Sequence, residues 1–415
     1  LVALSFAGGN DLTIDSASPQ IGATASSVDP KDIANAVTNL RFKDTVKFYS
    51  SDATALNNTG TQTYDAAITL AAGTSAVTLG GGNTTSITTG SAATITGTGT
   101  DDLIIASAAT LGGDITLGGD LTITPASTLP ANVTTGLTQT YTAAPTLAAN
   151  TVLTGTTLTL GAALVGASKD LTLDFSGSPT INLANITAVK NFTVSKAATL
   201  NNDLSTTGTQ TYSGAITIGG AASTVTLTSS GTGTAGDITF KGIVNGTGAG
   251  AETLEVDTAG TTWFQKAVGG TTTLHTLLTD SSGTGAGTTK LGSSVTTATA
   301  QTYNDSVVLT SSVVLGGAGA ITLNAVNGGA NNLTLSSSGL TTLKDSISDV
   351  VTLTSDNGGN TVFGVSGGSD TITITSTSSQ TYVDNIVVEE ETILTGTPVT
   401  LLGTTTINGG SLTTP

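Results

Sequence analysis

Gln62-Thr63-Tyr64 is a tripeptide that returns four times further along the chain, and the rest of the sequence is organised around it. The glutamines that begin the five copies are Gln62, Gln139, Gln210, Gln301 and Gln380. The tyrosines that end them are Tyr64, Tyr141, Tyr212, Tyr303 and Tyr382. Successive glutamines are 77, 71, 91 and 79 residues apart, and flanks such as TGTQTYDAAITL (59–70) and TGTQTYSGAITI (207–218) recur with them. Such recurrence predicts a repeat architecture.

The composition limits the classes of fold that the chain can adopt. Of 415 residues, 9% are charged, 4% are aromatic and 53 are glycine. The glycines have no period of three, which excludes collagen. Short alternating runs of Ile, Leu and Val, with a mean hydropathy of +0.23, argue against disorder. So few aromatic residues indicate a narrow core of stacked Val, Ile, Leu and Ala.

The charge balance limits the partners. The net charge is −17, from 11 basic and 28 acidic residues, and no Lys or Arg occurs between residues 48 and 168. Nucleic acid and anionic lipid need clustered basic residues, so we expect neither as a partner. We interpret the acidity as solubility of a large exposed surface. The absence of Cys suits an exported protein, and no apolar run reaches transmembrane length, so we expect no membrane insertion.

Residues 1–58 differ from the rest and are predicted to be an N-terminal cap or atypical segment. Asp29 as N-cap and Pro30 at the first helical position predict a short helix over about 30–38. Residues 40–48 alternate apolar and charged side chains, which predicts one half-exposed strand. Repeat arrays need atypical terminal units with a polar outer face, and this segment fits that role.

Residues 59–415 read as short strands separated by Gly, Asn and Ser turns. Pairs such as Ile115/Leu117 and Ile321/Leu323 alternate with Thr, so one face is aliphatic and the other hydroxylated. A parallel β-solenoid and a row of antiparallel sandwiches both satisfy this pattern. Sandwiches repeat near 100 residues with a larger aromatic core, so the solenoid is favoured. We predict an all-β, right-handed parallel β-solenoid with coils of about 20–25 residues, some 18 in all.

A family resemblance appears in residues 237–310, in the order ITF, VNG, L-x-V, AVGG, a leucine-containing strand and then QTY with an apolar strand after it. This order resembles the repeat region of filamentous-haemagglutinin-like exoproteins, the secreted partners of two-partner secretion systems. The resemblance extends loosely over 59–236 and 311–396 and does not cover 1–58. It implies a right-handed β-helix, export from a Gram-negative cell, and a role in adhesion or surface fibres.

Candidate chemistry is sparse. His275, the only histidine, lies near Asp280 and several serines, and we interpret it as an outward strand residue. One His and no Cys cannot form a histidine-based metal site. We assign no metal-binding, cofactor-binding or catalytic residue. Gly231–Gly236 matches G-x-G-x-x-G but is followed by a predicted strand, which rules out the dinucleotide motif. Asp370 follows a glycine turn that faintly resembles a calcium-binding repeat. Acidic clusters that could act on sugars are Asp101/Asp102, Glu252/Glu255/Asp257 and Glu389/Glu390/Glu391.

The Gln-Thr-Tyr motif itself permits two interpretations. Five exposed tyrosines could form a contact stripe, or each tyrosine could cover the edge of the core with its hydroxyl in water while the glutamine stacks on a neighbouring coil. We favour the second, and we place Trp263-Phe264 in the core. Rows of Thr-x-Thr also suggest ice binding, but the variable spacing argues against the regular ladder that this needs.

The sequence therefore predicts a non-enzymatic, exported structural protein, a β-solenoid rod of a bacterial surface fibre or adhesin stalk. Its expected partners are further copies of the same repeat and a host or cell-surface receptor, and its expected location is the exterior of a Gram-negative-type bacterium. The alternatives are a glycan-active β-helix enzyme with clustered carboxylates, and a ligand-binding adhesin whose contact surface lies elsewhere.

Overall fold

The computed structural model describes residues 10–15, 19–22, 37–49, 54–71, 76–219, 224–248, 251–281, 287–356 and 358–414. The chain divides into two compact units, Leu1–Lys190 and Asn191–Pro415. Across these described ranges the strands are short and pair in parallel. Two single-turn 3-10 helices, η1 (Leu183–Asn185) and η2 (Gly233–Gly236), interrupt them. The all-β parallel β-solenoid is confirmed, and a row of antiparallel sandwiches is wrong. The right-handed sense stays a prediction.

The first unit is built from short strands that are separated by tight corners. In the described residues they are β1 Asn10–Ile14, β2 Gln20–Gly22, β3 Val37–Phe42, β4 Val46–Tyr49, β5 Thr54–Leu56, β6 Thr61–Tyr64, β7 Ile68–Ala71, β8 Val77–Leu79, β9 Ser86–Thr89, β10 Ile95–Gly97, β11 Leu103–Ile105, β12 Ala109–Thr110, β13 Ile115–Leu117, β14 Leu121–Ile123, β15 Ser127–Leu129, β16 Asn132–Thr135, β17 Thr138–Tyr141, β18 Pro145–Leu147, β19 Thr151–Gly155, β20 Thr157–Leu160, β21 Leu164–Val165, β22 Leu171–Phe175, β23 Thr180–Asn182 and β24 Ile186–Thr187.

These strands stack in three columns, which the chain visits in turn once per coil. The first column is β1-β3-β6-β9-β12-β15-β18-β21-β24. The second is β2-β4-β7-β10-β13-β16-β19-β22, and the third is β5-β8-β11-β14-β17-β20. The most regular coils have 18 residues, since Thr110 pairs with Thr128 and Thr128 with Thr146.

The second unit uses longer strands, some of which turn a corner. In the described residues they are β25 Phe192–Val194, β26 Ala198–Asn201, β27 Leu204–Thr206, β28 Gln210–Tyr212, β29 Ile216–Ile218, β30 Thr224–Thr232, β31 Ile238–Phe240, β32 Val244–Asn245, β33 Thr253–Ala259, β34 Thr261–Phe264, β35 Leu274–Thr279, β36 Thr288–Leu291, β37 Val295–Tyr303, β38 Ser306–Leu309, β39 Val313–Gly317, β40 Ala320–Leu323, β41 Val326–Ser337, β42 Leu340–Leu343, β43 Ile347–Ser355, β44 Asn360–Phe363, β45 Thr371–Ser376, β46 Gln380–Tyr382, β47 Asn385–Val388, β48 Glu391–Thr395, β49 Val399–Leu401, β50 Thr405–Ile407 and β51 Leu412–Thr413.

This unit also has three columns. The first runs β25-β28-β31-β34-β36-β38 and continues through the starts of β41 and β43 to β45, β48 and β51. The second runs β26-β29-β32, then Val268, the start of β37, β39, the ends of β41 and β43, β46 and β49. The third runs β27-β30-β33-β35, the end of β37, β40-β42-β44-β47-β50.

Alternation inside each strand forms the core, as predicted. Ile115 and Leu117 of β13 are buried, and Thr116 between them is exposed. In the first column of the second unit, the rings of Tyr212 and Phe240 stack with centroids 4.9 Å apart. Phe240 stacks on Phe264 in the next coil at the same distance. Aromatic bulk therefore lies in ladders along the core.

Three local predictions are wrong or lie outside the described residues. Residues 30–36 of the predicted helix lie outside the described residues. The last two residues of that helix, 37 and 38, belong to β3. The single strand predicted over 40–48 is two, β3 and β4, because the chain turns a corner after Phe42. Of the Trp263-Phe264 pair, only Phe264 lies in the core, because neighbouring strand residues face opposite sides. The role of residues 1–58 as a cap stays a prediction.

The motif spacing is regular when it is counted in strands. Gln62 lies in the first column of the first unit, and Gln139 lies in the third column three coils later. Gln210, Gln301 and Gln380 occupy the first, third and second columns of the second unit. Every interval that falls inside one unit is therefore three and two-thirds coils. The variable residue counts come from corners of different length.

Candidate functional site

The Gln-Thr-Tyr motifs place their glutamine and tyrosine side chains inside the coils, where all ten are at most 1% exposed. In each motif the tyrosine hydroxyl donates to Oε1 of the glutamine two residues earlier. The oxygen–oxygen distances are 3.1 Å at Tyr64, 2.8 Å at Tyr141, 2.8 Å at Tyr212, 3.0 Å at Tyr303 and 2.9 Å at Tyr382. Residues i and i+2 of a strand share a face, which brings the two side chains together.

The glutamine amide nitrogen joins two coils. Gln139 Nε2 donates to the carbonyl of Val133 at 3.0 Å, in the preceding strand of its own coil. It also donates to the carbonyl of Thr154 at 2.8 Å, one coil further on. Gln301 and Gln380 repeat this with the carbonyls six residues before and fifteen residues after them. We call this arrangement the Gln–Tyr clamp.

The remaining two clamps vary this geometry. Gln62 Nε2 donates to the carbonyl of Leu56 and to Asn58 Oδ1, at 2.5 and 3.1 Å. Gln210 Nε2 donates to the carbonyl of Thr228 at 2.9 Å and to Thr206 Oγ1 at 3.2 Å. In all five, the amide makes three hydrogen bonds in a buried site, so the network is satisfied and costly to interrupt.

The predicted surroundings of the tyrosines are wrong in both interpretations. The five hydroxyls are not in water, and the five rings do not form an exposed contact stripe, because all are fully buried. Burial raises the pKa of each hydroxyl far above its usual range, so each remains a protonated donor. Sequence alone missed this because Gln and Tyr are usually found at least partly exposed.

Acidic residues also hold coils together, a role that the sequence interpretation missed. Asp102 Oδ1 accepts from the backbone nitrogen of Asp120 at 2.6 Å, and Asp120 Oδ1 accepts from that of Thr138 at 2.7 Å. In the second unit, Asp237 Oδ1 accepts from the backbone nitrogen of Thr261 at 2.8 Å. Each acceptor precedes a strand and bonds to the next coil, so this part of the acidity is structural. The recurring Asp before Leu-Thr-Ile was the available signal.

The acidic clusters are divided between the interior and the surface. Glu390 is buried and accepts from the backbone nitrogens of Val365 and Asp370 at 2.8 and 3.1 Å. Its neighbours Glu389 and Glu391 lie outside and accept from Asn408 and Thr371. Alternation along a strand therefore separates these carboxylates instead of pairing them.

The other two clusters are separated in the same way. Glu252 is buried, and Glu255 and Asp257 are on the outer side of β33. Burial raises the pKa of Glu252, but hydrogen bonds from Thr247 and nearby backbone nitrogens outweigh this and lower it below its usual value. Asp101 is buried and accepts from the backbone nitrogen of Thr98, while Asp102 serves the next coil.

Asp305 has the most perturbed carboxyl in the described structure. It is 1% exposed, and its Oδ2 accepts from Thr289 at 3.3 Å. Burial first, and then the charges of Asp280 and Asp257, raise its pKa to about 6. Such a shift often marks an acid catalyst. Here the carboxyl is covered, so its described contacts fit a buried structural group.

The remaining sequence candidates occupy ordinary positions. His275 Nδ1 contacts the hydroxyls of Thr276 and Thr299 at 3.3 and 3.2 Å, and its described contacts include no Ser or Asp. The glycine motif leads through η2 directly into β31, as predicted. Asp370 is exposed, and no three His, Cys, Asp or Glu side chains of the described ranges form a metal-binding group.

Surface features and comparisons add little chemistry. A depression of about 280 Å³ in the first unit is lined by the Ala, Ser, and Thr side chains at 86, 108–110, 126–128 and 146. In the described residues, no helix combines the length and apolarity needed to cross a bilayer.

Searches of family models, curated proteins and solved structures found no match to this chain. The resemblance to haemagglutinin-like exoproteins therefore rests on the quoted residues alone.

Proposed function

We propose that this chain is a non-enzymatic structural protein, exported to the cell exterior, whose coils form a rod segment of a bacterial surface fibre or adhesin stalk. The observation that carries the proposal is the Gln–Tyr clamp, which recurs every three and two-thirds coils within each unit. Clamps of this kind hold successive coils together without using any exposed chemistry. A spacer that resists unwinding under tension requires such bonds between coils.

The absence of an enzymatic role is part of the proposal. The three acidic clusters divide between interior and exterior, and Asp305 is covered. Retaining and inverting glycosidases need two carboxyls that face one sugar, about 5 to 9.5 Å apart. Separation of the clusters supports a structural role over the glycan-active alternative.

Partners and location follow from the same proposal. The partners would be further copies of the repeat and a host or cell-surface receptor, and the location would be the surface of a Gram-negative-type cell. Support comes from the absence of Cys and from the sequence order over 237–310.

Negative-stain microscopy of the purified chain, with protease treatment of intact producing cells, tests the proposal. We expect rods of uniform width and cleavage of the chain on intact cells while a cytoplasmic marker stays whole. Strings of separate globules would contradict the rod, and protection of the chain until lysis would contradict surface location. Hydrolysis of a glycan panel that is lost in the Asp305→Asn variant would establish the enzyme alternative.

A further inference from the structure

One outer face of the second unit carries basic and aromatic side chains. This unit carries fifteen acidic residues and only five lysines. Three lysines lie on three successive coils: Lys241 directly follows β31, Lys266 is the second residue after β34, and Lys290 lies in β36. Trp263, the only tryptophan, lies in register with Lys290 and with Thr239. Ile243, 38% exposed, lies between β31 and β32, directly before Val244. We call these five side chains, Lys241, Ile243, Trp263, Lys266 and Lys290, the Trp–Lys patch.

The geometry of the patch is set by the solenoid. Lys290 Nζ lies 5.9 Å from the centroid of the Trp263 indole ring, a distance at which the ammonium is attracted to the ring face. Phe240 and Phe264 stack beneath, and the backbone nitrogen of Gln265 bonds to the carbonyl of Phe240, so the residues after both strands lie side by side. Strands are about 4.8 Å apart, which places Lys241 and Lys290 about 10 Å apart along the column.

An outward tryptophan on a strongly acidic protein needs an explanation. The inward positions of this column are occupied by Tyr212, Phe240 and Phe264, so the Trp263 indole does not fill the core. Aromatic residues flanked by cations are typical of recognition surfaces, where a few such residues supply most of the binding energy. Local positive charge selects an occupant that is negative, and the flat ring selects one with a planar apolar face.

We propose that the Trp–Lys patch binds an acidic polysaccharide. One sugar ring stacks on Trp263, and carboxylates of this sugar and its neighbours are held by Lys241, Lys266 and Lys290. The C–H bonds on one face of a pyranose suit the negative face of an indole, and the threonine hydroxyls of the same column can bond to sugar hydroxyls. A long polyanion such as duplex DNA would be repelled by the acidic surface beyond the patch, since the net charge of the chain is −17. This inference goes beyond the structural role and does not depend on export.

Calorimetric titration of the full chain with polygalacturonate fragments, at low salt, tests the proposal. Trp263→Ala should weaken binding about tenfold, and Lys241→Gln/Lys266→Gln about fivefold, since each removes a central contact. Lys344→Gln, the matched control in the third column, should stay within about twofold. Both lysine changes are on exposed side chains, so they remain informative if Trp263→Ala does not fold.

Titrations with three other ligands decide the chemistry of the occupant. Fully methyl-esterified polygalacturonate should bind at least about tenfold more weakly, because the carboxylates carry the charge. Equal binding of the ester would overturn the assignment to an acidic sugar. Tighter binding of duplex DNA or of phosphatidylserine vesicles, lost in the same variants, would overturn the assignment to a saccharide. No binding of polygalacturonate, or an equal loss in Lys344→Gln, would overturn the patch itself.

Discussion

The motifs at 301–305 and 380–384 share the pattern Gln-Thr-Tyr-x-Asp, yet their aspartates have different surroundings. The clamps are the same, with tyrosine-to-glutamine distances of 3.0 and 2.9 Å. Asp384 accepts from the backbone nitrogens of Gly358 and Gly359, both at 3.2 Å, and from Thr361 Oγ1 at 3.0 Å.

Asp305 occupies the corresponding place among other carboxylates. It accepts from Thr289 and from the backbone nitrogen of Gly287, while burial first, and then the charges of Asp280 and Asp257, raise its pKa to about 6. The clamps of these two motifs thus use equivalent partners, with carbonyls six residues before and fifteen residues after each glutamine. The chemistry of Asp305 is set by carboxylates on preceding coils, 25 and 48 residues earlier in the sequence, and it does not repeat at Asp384.

The largest expected effect is on the shared clamp. Gln301→Leu and Gln380→Leu should each lower the free energy of unfolding of the second unit by about 3 kcal/mol, because each strands two carbonyls and a tyrosine hydroxyl in the core. Urea unfolding followed by circular dichroism measures both. Gln265→Leu, a partly exposed glutamine in the same unit, should change stability by no more than about 0.5 kcal/mol. Losses at 301 and 380 no greater than this control would show that the clamp has no structural role.

The two aspartates should respond in opposite directions at pH 7.5. Asp384→Asn should cost about 1 to 2 kcal/mol, because the amide nitrogen that replaces Oδ2 cannot accept from the Thr361 hydroxyl, while Oδ1 still accepts from the backbone nitrogens of Gly358 and Gly359. Asp305→Asn should stabilise the unit by about 1 to 2 kcal/mol, because it removes a buried charge near Asp280 and Asp257. The measurement is the urea midpoint at constant m-value. Equal destabilisation by both variants would mean that the surroundings of the two aspartates are equivalent.

A pH dependence should belong to Asp305. Its pKa is raised from 3.8 to about 6 on folding, so the folded state binds the proton more tightly than the unfolded chain. This contribution to stability is complete below pH 3.8 and is lost as pH rises through about 6, a change of up to about 3 kcal/mol. Subtracting the urea stability of Asp305→Asn from that of the wild type between pH 3.5 and 7.5 isolates it. A flat difference, or one that rises with pH, would contradict the assignment.

The smallest expected effect is that of a single clamp hydroxyl. Tyr303→Phe and Tyr382→Phe should each cost about 1 kcal/mol, since each leaves one glutamine oxygen without its donor and keeps the ring in place. Thermal unfolding of both variants, with the surface variant Tyr49→Phe as control, checks this. Costs that differ by more than about 1 kcal/mol between the two motifs would break the equivalence of the clamps.

Much of the fold could be predicted because it depends on local alternation. Runs such as Asp-Ile-Thr-Leu at 114–117 specify which side of a strand faces the core, and the thin aromatic content favours stacked coils over sandwiches. The parallel β-solenoid was accessible from these patterns. The break between β3 and β4 could not be predicted from these patterns, because the position of a corner depends on the neighbouring coil.

The sites were harder to predict because they depend on register. Gln62 and Tyr64 are polar-tipped residues whose burial makes sense only once the carbonyls of the adjoining strands are known. Asp305 and Asp384 look alike in sequence and differ through residues on other coils. Trp263 was assigned to the core because the sequence does not show which of two adjacent aromatic residues faces inward.

Parallel register from coil to coil is the central claim, and disulfide formation in this cysteine-free chain tests it most directly. Thr322 pairs with Thr342, and Thr342 with Val362, all on the outer side of the third column. The double variant Thr322→Cys/Thr342→Cys should cross-link on mild oxidation, because neighbouring strands lie about 4.8 Å apart. Thr322→Cys/Val362→Cys, two coils apart, should stay reduced. Cross-linking of the second pair in preference to the first would contradict the solenoid register.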